Sequence, residues 1–113
     1  MHNFYVNLYP FLLALDPPQH VHLTDISDGE NYCLLAEWQS TEGAAEYHVD
    51  IIDVKKNYST PRKTDRNYFE FKDLQPGTEY KVKVQAIAGK GSRNSAIAHS
   101  SSKWTREFYL EHP

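Results

Sequence analysis

The chain has 113 residues and a mass of 13.1 kDa, with 40% hydrophobic composition, which gives room for one hydrophobic core and little else. A net charge of −3 argues against a general nucleic-acid binder, which needs a strong basic excess, and a single cysteine, Cys33, rules out an intramolecular disulfide. The charge is unevenly spread: residues 1–54 hold nine acidic side chains and no Lys or Arg, whereas residues 55–113 hold six acidic against twelve basic.

Residues 4–15 are apolar and uncharged, but Pro10 interrupts the run, and a bilayer span needs about 20 apolar residues. The chain is therefore read as not membrane-spanning. As a secretory signal the run is poor, since only His2 and the amino group precede it and no small-x-small cleavage site comes before Asp16. It is taken as an apolar flank, 1–16, either laid on the domain or able to add to an open sheet edge. Residues 103–113 are read as a corresponding C-terminal tail or linker, whose segment from Lys103 to Leu110 either continues the last strand or leads on to a further element.

Between these flanks, turn signals cut the sequence into short segments that alternate with period two, the pattern of an all-β sandwich. A strand over 20–26 turns Leu23 inward and ends at Asp28-Gly29-Glu30-Asn31. A second, over 32–39, alternates Leu34, Ala36 and Trp38 inward with Cys33, Leu35 and Glu37 outward. A third, over 46–54, places Tyr47, Val49 and Ile51 on one face and His48, Asp50 and Ile52 on the other. The polar stretch 55–66 contains Pro61 and reads as a turn plus an edge strand, because proline cannot donate to a central ladder. Phe69 and Phe71 point to the core from a strand over 67–72. The clearest alternation lies in 79–88, where Tyr80, Val82, Val84 and Ala86 face in and Lys81, Lys83 and Gln85 face out. After the turn Gly89-Lys90-Gly91-Ser92, a last strand from Ser95 to Ser102 is expected to use Ile97 as its inward anchor. Seven strands in this length match an immunoglobulin-like sandwich.

The ordered set Pro17-Pro18, Trp38, Tyr47, Leu74-x-Pro76-Gly77-Thr78-x-Tyr80-x-Val82-x-Val84-x-Ala86 and Gly89-x-Gly91-Ser92 resembles the fibronectin type III domain over residues 17–102. The resemblance implies a seven-stranded antiparallel sandwich with sheets A-B-E and C′-C-F-G. It also implies a non-catalytic spacer or protein-binding module. An immunoglobulin domain would put its buried Trp on strand C beside a disulfide, and here Trp38 falls on strand B. Trp38, Tyr47, Leu74, Tyr80, Val82 and Val84 are the expected structural core. Tyr80 is expected to form a tyrosine corner by bonding to backbone near residues 74–77.

No catalytic constellation stands out. His20-Val21-His22 places two imidazoles on one strand face, but no further Cys or His recurs at ligand spacing, so the six histidines read as solvated and no metal or other cofactor is expected. The acidic run 25–30 lacks the spacing of a calcium loop. Cys33 has no neighbouring base and reads as a passive thiol.

Binding is the function that remains. If the resemblance gives the right sheet order, Lys55, Lys56, Arg62, Lys63, Lys81 and Lys83 gather along the C′-C-F-G face or its edge, with Lys90 and Arg93 in a recognition loop. Asp25, Asp28, Glu30 and Glu37 would belong to the other sheet, making the molecule a weak dipole. Such a basic face suits an acidic protein patch or a sulfated glycan. The competing view is that lysines at outward positions only keep the sheet soluble. A weak homodimer through strand edges or the N-terminal segment stays open as a further partner. Asn57-Tyr58-Ser59 is an N-glycosylation sequon in a polar connection. The expectation is an extracellular or cell-surface adhesion or receptor module. A cytosolic scaffold or muscle-type domain, or an accessory domain of a secreted enzyme, is the alternative.

Overall fold

The computed structural model describes residues 13–107. Two ten-residue strands organise it, β3 (Ala44–Asp53) and β6 (Glu79–Ala88), and they pair antiparallel so that Tyr47 faces Ala86, Val49 faces Val84 and Ile51 faces Val82. Since neighbours in register share a face, this register collects all six apolar side chains on one side of the sheet. β4 (Tyr58–Thr64) pairs with the free edge of β3 and carries Pro61 there, as an edge strand can. β1 (Gln19–Asp25), β2 (Leu34–Gln39) and β5 (Tyr68–Phe71) form a second sheet in the order β1-β2-β5. The first sheet runs β4-β3-β6-β7, where β7 is Ala98–His99, and β8 (Lys103–Trp104) also pairs with β6. The fold is thus the expected all-β sandwich with the sheet sets A-B-E and C′-C-F-G.

The core lies between the sheets. Leu34 and Ala36 from one and Val49, Val82, Val84 and Ala86 from the other are completely buried. Trp38 meets Tyr47 edge to face, with ring centroids 5.3 Å apart at 64°. Tyr47 in turn accepts a hydrogen bond from the Thr41 amide at 2.8 Å, which fixes the turn before β3. The indole Nε1–H of Trp38 is buried and finds no hydrogen-bond acceptor, a cost of about 1–3 kcal/mol that the packing of so large a side chain outweighs. Phe71 is buried, while Phe69 and Leu74 are partly buried against the same cluster.

Two expectations fail, both through alternation applied where other chemistry governs. Ile97 is not an inward anchor: it is 47% exposed, and the segment that contains it is held to β6 by serine hydroxyls. Ile52, expected to face solvent, is 7% exposed on the outer side of its sheet. Its cross-strand neighbours there are Ser59 and Lys81, and a lysine stem covers apolar surface while its head stays in water.

The last strand is in fact broken into β7 and β8, and three hydroxyls bridge the breaks. Ser95 donates its amide to the Ala86 carbonyl at 2.9 Å, and its Oγ accepts from the Ala86 amide at 2.9 Å. Ser100 does the same with Val82, both at 3.0 Å, and Thr105 with Thr78, both at 3.0 Å. The three sit five residues apart and meet partners four residues apart. One residue of register is therefore lost between the β7 pair, Ala98 with Val84, and the β8 pair, Lys103 with Tyr80, as in a β-bulge. A side-chain oxygen replaces the carbonyl that the slip takes out of reach. All three residues are buried, at 3%, 9% and 2% exposure.

The chain ends fold back onto this frame. The Tyr80 hydroxyl accepts from the Gln75 amide at 3.0 Å, closing the corner between β5 and β6. Burial raises its phenol above the ordinary range and Asp53 adds to this, with the Gln75 bond opposing. Gly77 has φ +54°, a conformation that favours glycine, and a Cβ there would stand 3.1 Å from the Glu107 side chain, which would have to shift. Its amide donates to the Arg106 carbonyl at 2.9 Å. At the other pole Ala14 forms a parallel bridge with Arg93, and Leu15 packs against the core. The remainder of the apolar flank, residues 1–12, and the end of the tail, residues 108–113, lie outside the described residues.

Candidate interaction surface

Strand register decides which charges share a face. On the outer side of the β4-β3-β6-β7 sheet the partners form rows: Lys63, His48 and Gln85; then Pro61, Asp50, Lys83 and His99; then Ser59, Ile52 and Lys81. Lys63, Lys81 and Lys83 therefore share this face, with Lys63 on the edge strand and Lys81 two rows further along β6. Arg62 does not join them, because its row contains the inward Val49 and Val84, and it extends from the sheet edge on the opposite side. Lys55 and Lys56 lie in the turn between β3 and β4, at one pole, whereas Lys90 and Arg93 lie in the loop after β6, at the other. The eight basic residues singled out from the sequence thus divide into three spread over one face and pairs at each pole, with Arg62 apart.

The face is also less basic than composition suggests. Lys83 Nζ lies 4.0 Å from Asp50 Oδ2, and His48 Nε2 lies 3.5 Å from Glu46 Oε2. Lys63 and Lys81 have no ion-pair partner among the described residues. Between the rows runs a shallow groove of about 250 Å³, lined by His48, Asp50, Pro61, Lys83, Gln85 and the exposed Ile97. Charged groups thus surround two apolar contacts.

The outer face of the β1-β2-β5 sheet differs. Its rows are His22, Glu37 and Tyr68, and Thr24, Leu35 and Glu70. His22 Nε2 lies 3.3 Å from Glu37 Oε1, and a β-bulge at His20, where φ is +57°, interrupts the run between the two histidines. No group of three or more His, Cys, Asp or Glu side chains suited to a metal occurs among the described residues. Cys33 is half-buried, and its backbone is bonded to Ile26 and Ser27. Arg66 bonds Tyr68 Oη at 2.7 Å, and that contact raises its already high pKa.

Asp25 plays a structural part. Its Oδ1 accepts from the Ser27 amide at 2.8 Å, and its Oδ2 lies 3.3 Å from the Arg106 amide and 3.7 Å from Arg106 Nε. Burial alone would raise its carboxyl, but these bonds and the guanidinium charge outweigh it and hold the group below its ordinary 3.8. Asn57 is exposed at the tip of the β3–β4 turn with φ +54°, a left-handed conformation that asparagine tolerates.

The sequence reading missed one feature of this surface. Trp104 is 60% exposed and lines a cleft of about 330 Å³ with the β3–β4 turn and the residues before β6. The sequence reads its segment as tail or as continuing the last strand, and neither reading places the indole at a cleft. Its pairing with Glu79 became visible only through the bulged register.

The family profile described as fibronectin type III domain matches residues 16–101. Among solved structures, the fibronectin type III domain of the human collagen alpha-1(XX) chain superposes with TM-score 0.65 at 22% identity, covering 88% of this chain and 92% of that one. A two-domain segment of chicken tenascin gives TM-score 0.69 at 18% identity, covering 81% of this chain and 51% of that one. A segment of titin gives 0.64 at 19% identity, covering 81% and 32%. At these identities the likeness is one of fold. A search of curated proteins finds no match.

Proposed function

The chain belongs to the fibronectin type III family, a family of protein-interaction modules, and from that premise we propose that it is a non-catalytic binding module of the extracellular or cell-surface type. Its binding face is the outer side of the β4-β3-β6-β7 sheet, and its partner presents an acidic surface, a protein patch or a sulfated glycan. The observation that carries this reading is the register that sets Lys63, Lys81 and Lys83 on one face, with Lys83 lining a groove in it. Exposed Ile97 and Pro61 at that groove favour a protein, since apolar contacts inside a polar surround are the anatomy of a protein interface. Heparin serves as the polyanion probe. Replacing Lys63, Lys81 and Lys83 by Glu abolishes retention on immobilised heparin, whereas Arg62→Glu and Lys90→Glu, which lie off the face, leave it nearly unchanged. Retention of the triple variant would refute the assignment.

The compartment rests on Asn57, whose sequon sits at an exposed turn tip. Expressed through a secretory pathway, the chain acquires a mass increment that a peptide N-glycosidase removes and that Asn57→Gln lacks. An unmodified Asn57 would favour the cytosolic scaffold reading instead.

A further inference from the structure

The geometry points to a second binding site, one row beyond Lys81 at the pole of the same sheet: the cleft at Trp104 holds a short neutral saccharide, with one pyranose ring lying on the indole. The cleft, about 330 Å³, is formed by Asp53, Lys55 and Lys56 from the β3–β4 turn, by the Pro76-Gly77-Thr78 bend, and by Trp104. That volume is at the small end of ligand sites.

Trp104 is an unusual residue to leave 60% exposed, yet its backbone is held by pairing on β6 and by the residue that follows it. It pairs with Glu79 in register, and the next residue, Thr105, donates its amide to the Thr78 carbonyl and its hydroxyl to the Gln75 carbonyl at 2.7 Å. An indole on so fixed a backbone is a pre-positioned platform. It has a negative quadrupole on its face, to which the polarised C–H groups of a sugar ring are attracted. Pre-organisation lowers the ordering cost of binding, which for a small ligand is a large part of the total.

The rim supplies hydroxyl partners of both kinds. Asp53 Oδ1 accepts from the Lys56 amide at 3.1 Å and Glu79 Oε2 accepts from Ser102 Oγ at 2.6 Å, which orients each carboxylate and leaves its second oxygen open. Neither Lys55 nor Lys56 has an ion-pair partner among the described residues. Two carboxylates and two ammonium groups balance, so the rim repels a polyanion with its acids as strongly as it attracts one with its lysines. Alternating donors and acceptors around an aromatic plane with no net charge fit a neutral polyhydroxylated ligand.

The test uses the whole chain with cellotriose, chitotriose and mannotriose, and a heparin tetrasaccharide as the charged control. The readout is the indole N–H resonances, which separate the two tryptophans, Trp38 and Trp104, because one is buried and the other exposed. At least one neutral trisaccharide at millimolar concentration shifts the Trp104 N–H and leaves Trp38 in place. Trp104→Ala weakens that binding by about tenfold or more, the factor that corresponds to about 1.4 kcal/mol. Trp104→Leu, which keeps an apolar side chain but no ring, weakens it comparably, and Lys63→Glu, on the distant edge strand, leaves it intact. The proposal is overturned if none of the three trisaccharides moves the Trp104 resonance, if only the heparin fragment does, or if Trp104→Ala binds within twofold of the original chain. An unchanged melting temperature for Trp104→Ala separates loss of the platform from loss of the fold.

Discussion

The two flanks of β6 perform the same task with different chemistry. On one side β3 runs alongside it in a long antiparallel ladder whose inward residues are aromatic or aliphatic. On the other side the ladder survives only as β7 and β8, and before, between and after them the hydroxyls of Ser95, Ser100 and Thr105 take the Ala86, Val82 and Thr78 amides. A central strand needs every buried amide satisfied, and either a carbonyl in register or a hydroxyl at a bulge will do it. The hydroxyl side gives up apolar burial and gains a tolerated slip of register. It also covers that side of β6, whose Ala86, Val82 and Thr78 amides are thereby taken.

Variants at the two flanks should differ in size of effect. On the apolar side, Trp38→Ala removes the largest core side chain and should cost about 3–5 kcal/mol in denaturant unfolding. A cost near 1 kcal/mol would mean that the sandwich does not depend on it. On the hydroxyl side, Ser100→Ala leaves the buried Val82 amide without its acceptor and should cost about 1–3 kcal/mol, with Thr105→Val in the same range. Thr105→Ser keeps the hydroxyl and should lose about 1 kcal/mol at most, the worth of a methyl group. If Thr105→Ser were as damaging as Thr105→Val, packing rather than hydrogen bonding would hold that residue.

The apolar flank was legible in the sequence because alternation is what a half-buried strand writes into its residues. Tyr80, Val82, Val84 and Ala86 are all buried where period two puts them. The hydroxyl flank was not. Serines also occupy 92, 101 and 102, and nothing in the string separates the hydroxyls that face β6 from those in water. Alternation applied to 95–102 chose Ile97, the one apolar side chain of size available, and the bulges turned it out. Of the surface, the rows of Lys63, Lys81 and Lys83 follow from period two once the sheet order is given. The displacement of Arg62 follows from the same parity. Trp104 depends on the register slip and could not be placed beforehand.

The smallest expected effect concerns the tail's attachment through Asp25. Its carboxyl titrates below the ordinary value of 3.8 in the folded chain, so its contribution is present at neutral pH and is lost as pH falls through the acidic range. The difference in melting temperature between the original chain and Asp25→Asn should therefore shrink as the solution is acidified from neutral toward pH 3.8 and below. A difference independent of pH would place Asp25 outside the network that binds Arg106.

The most direct test of the account is an amide-resonance map of the whole chain titrated with a sulfated heparin hexasaccharide. The account predicts shifts concentrated at Lys63, Lys81, Lys83 and His48, on the outer face of one sheet, while the Thr78, Val82 and Ala86 amides bound by hydroxyls move little. Shifts confined to the His22, Glu37 and Tyr68 face, or none on either face, would contradict it.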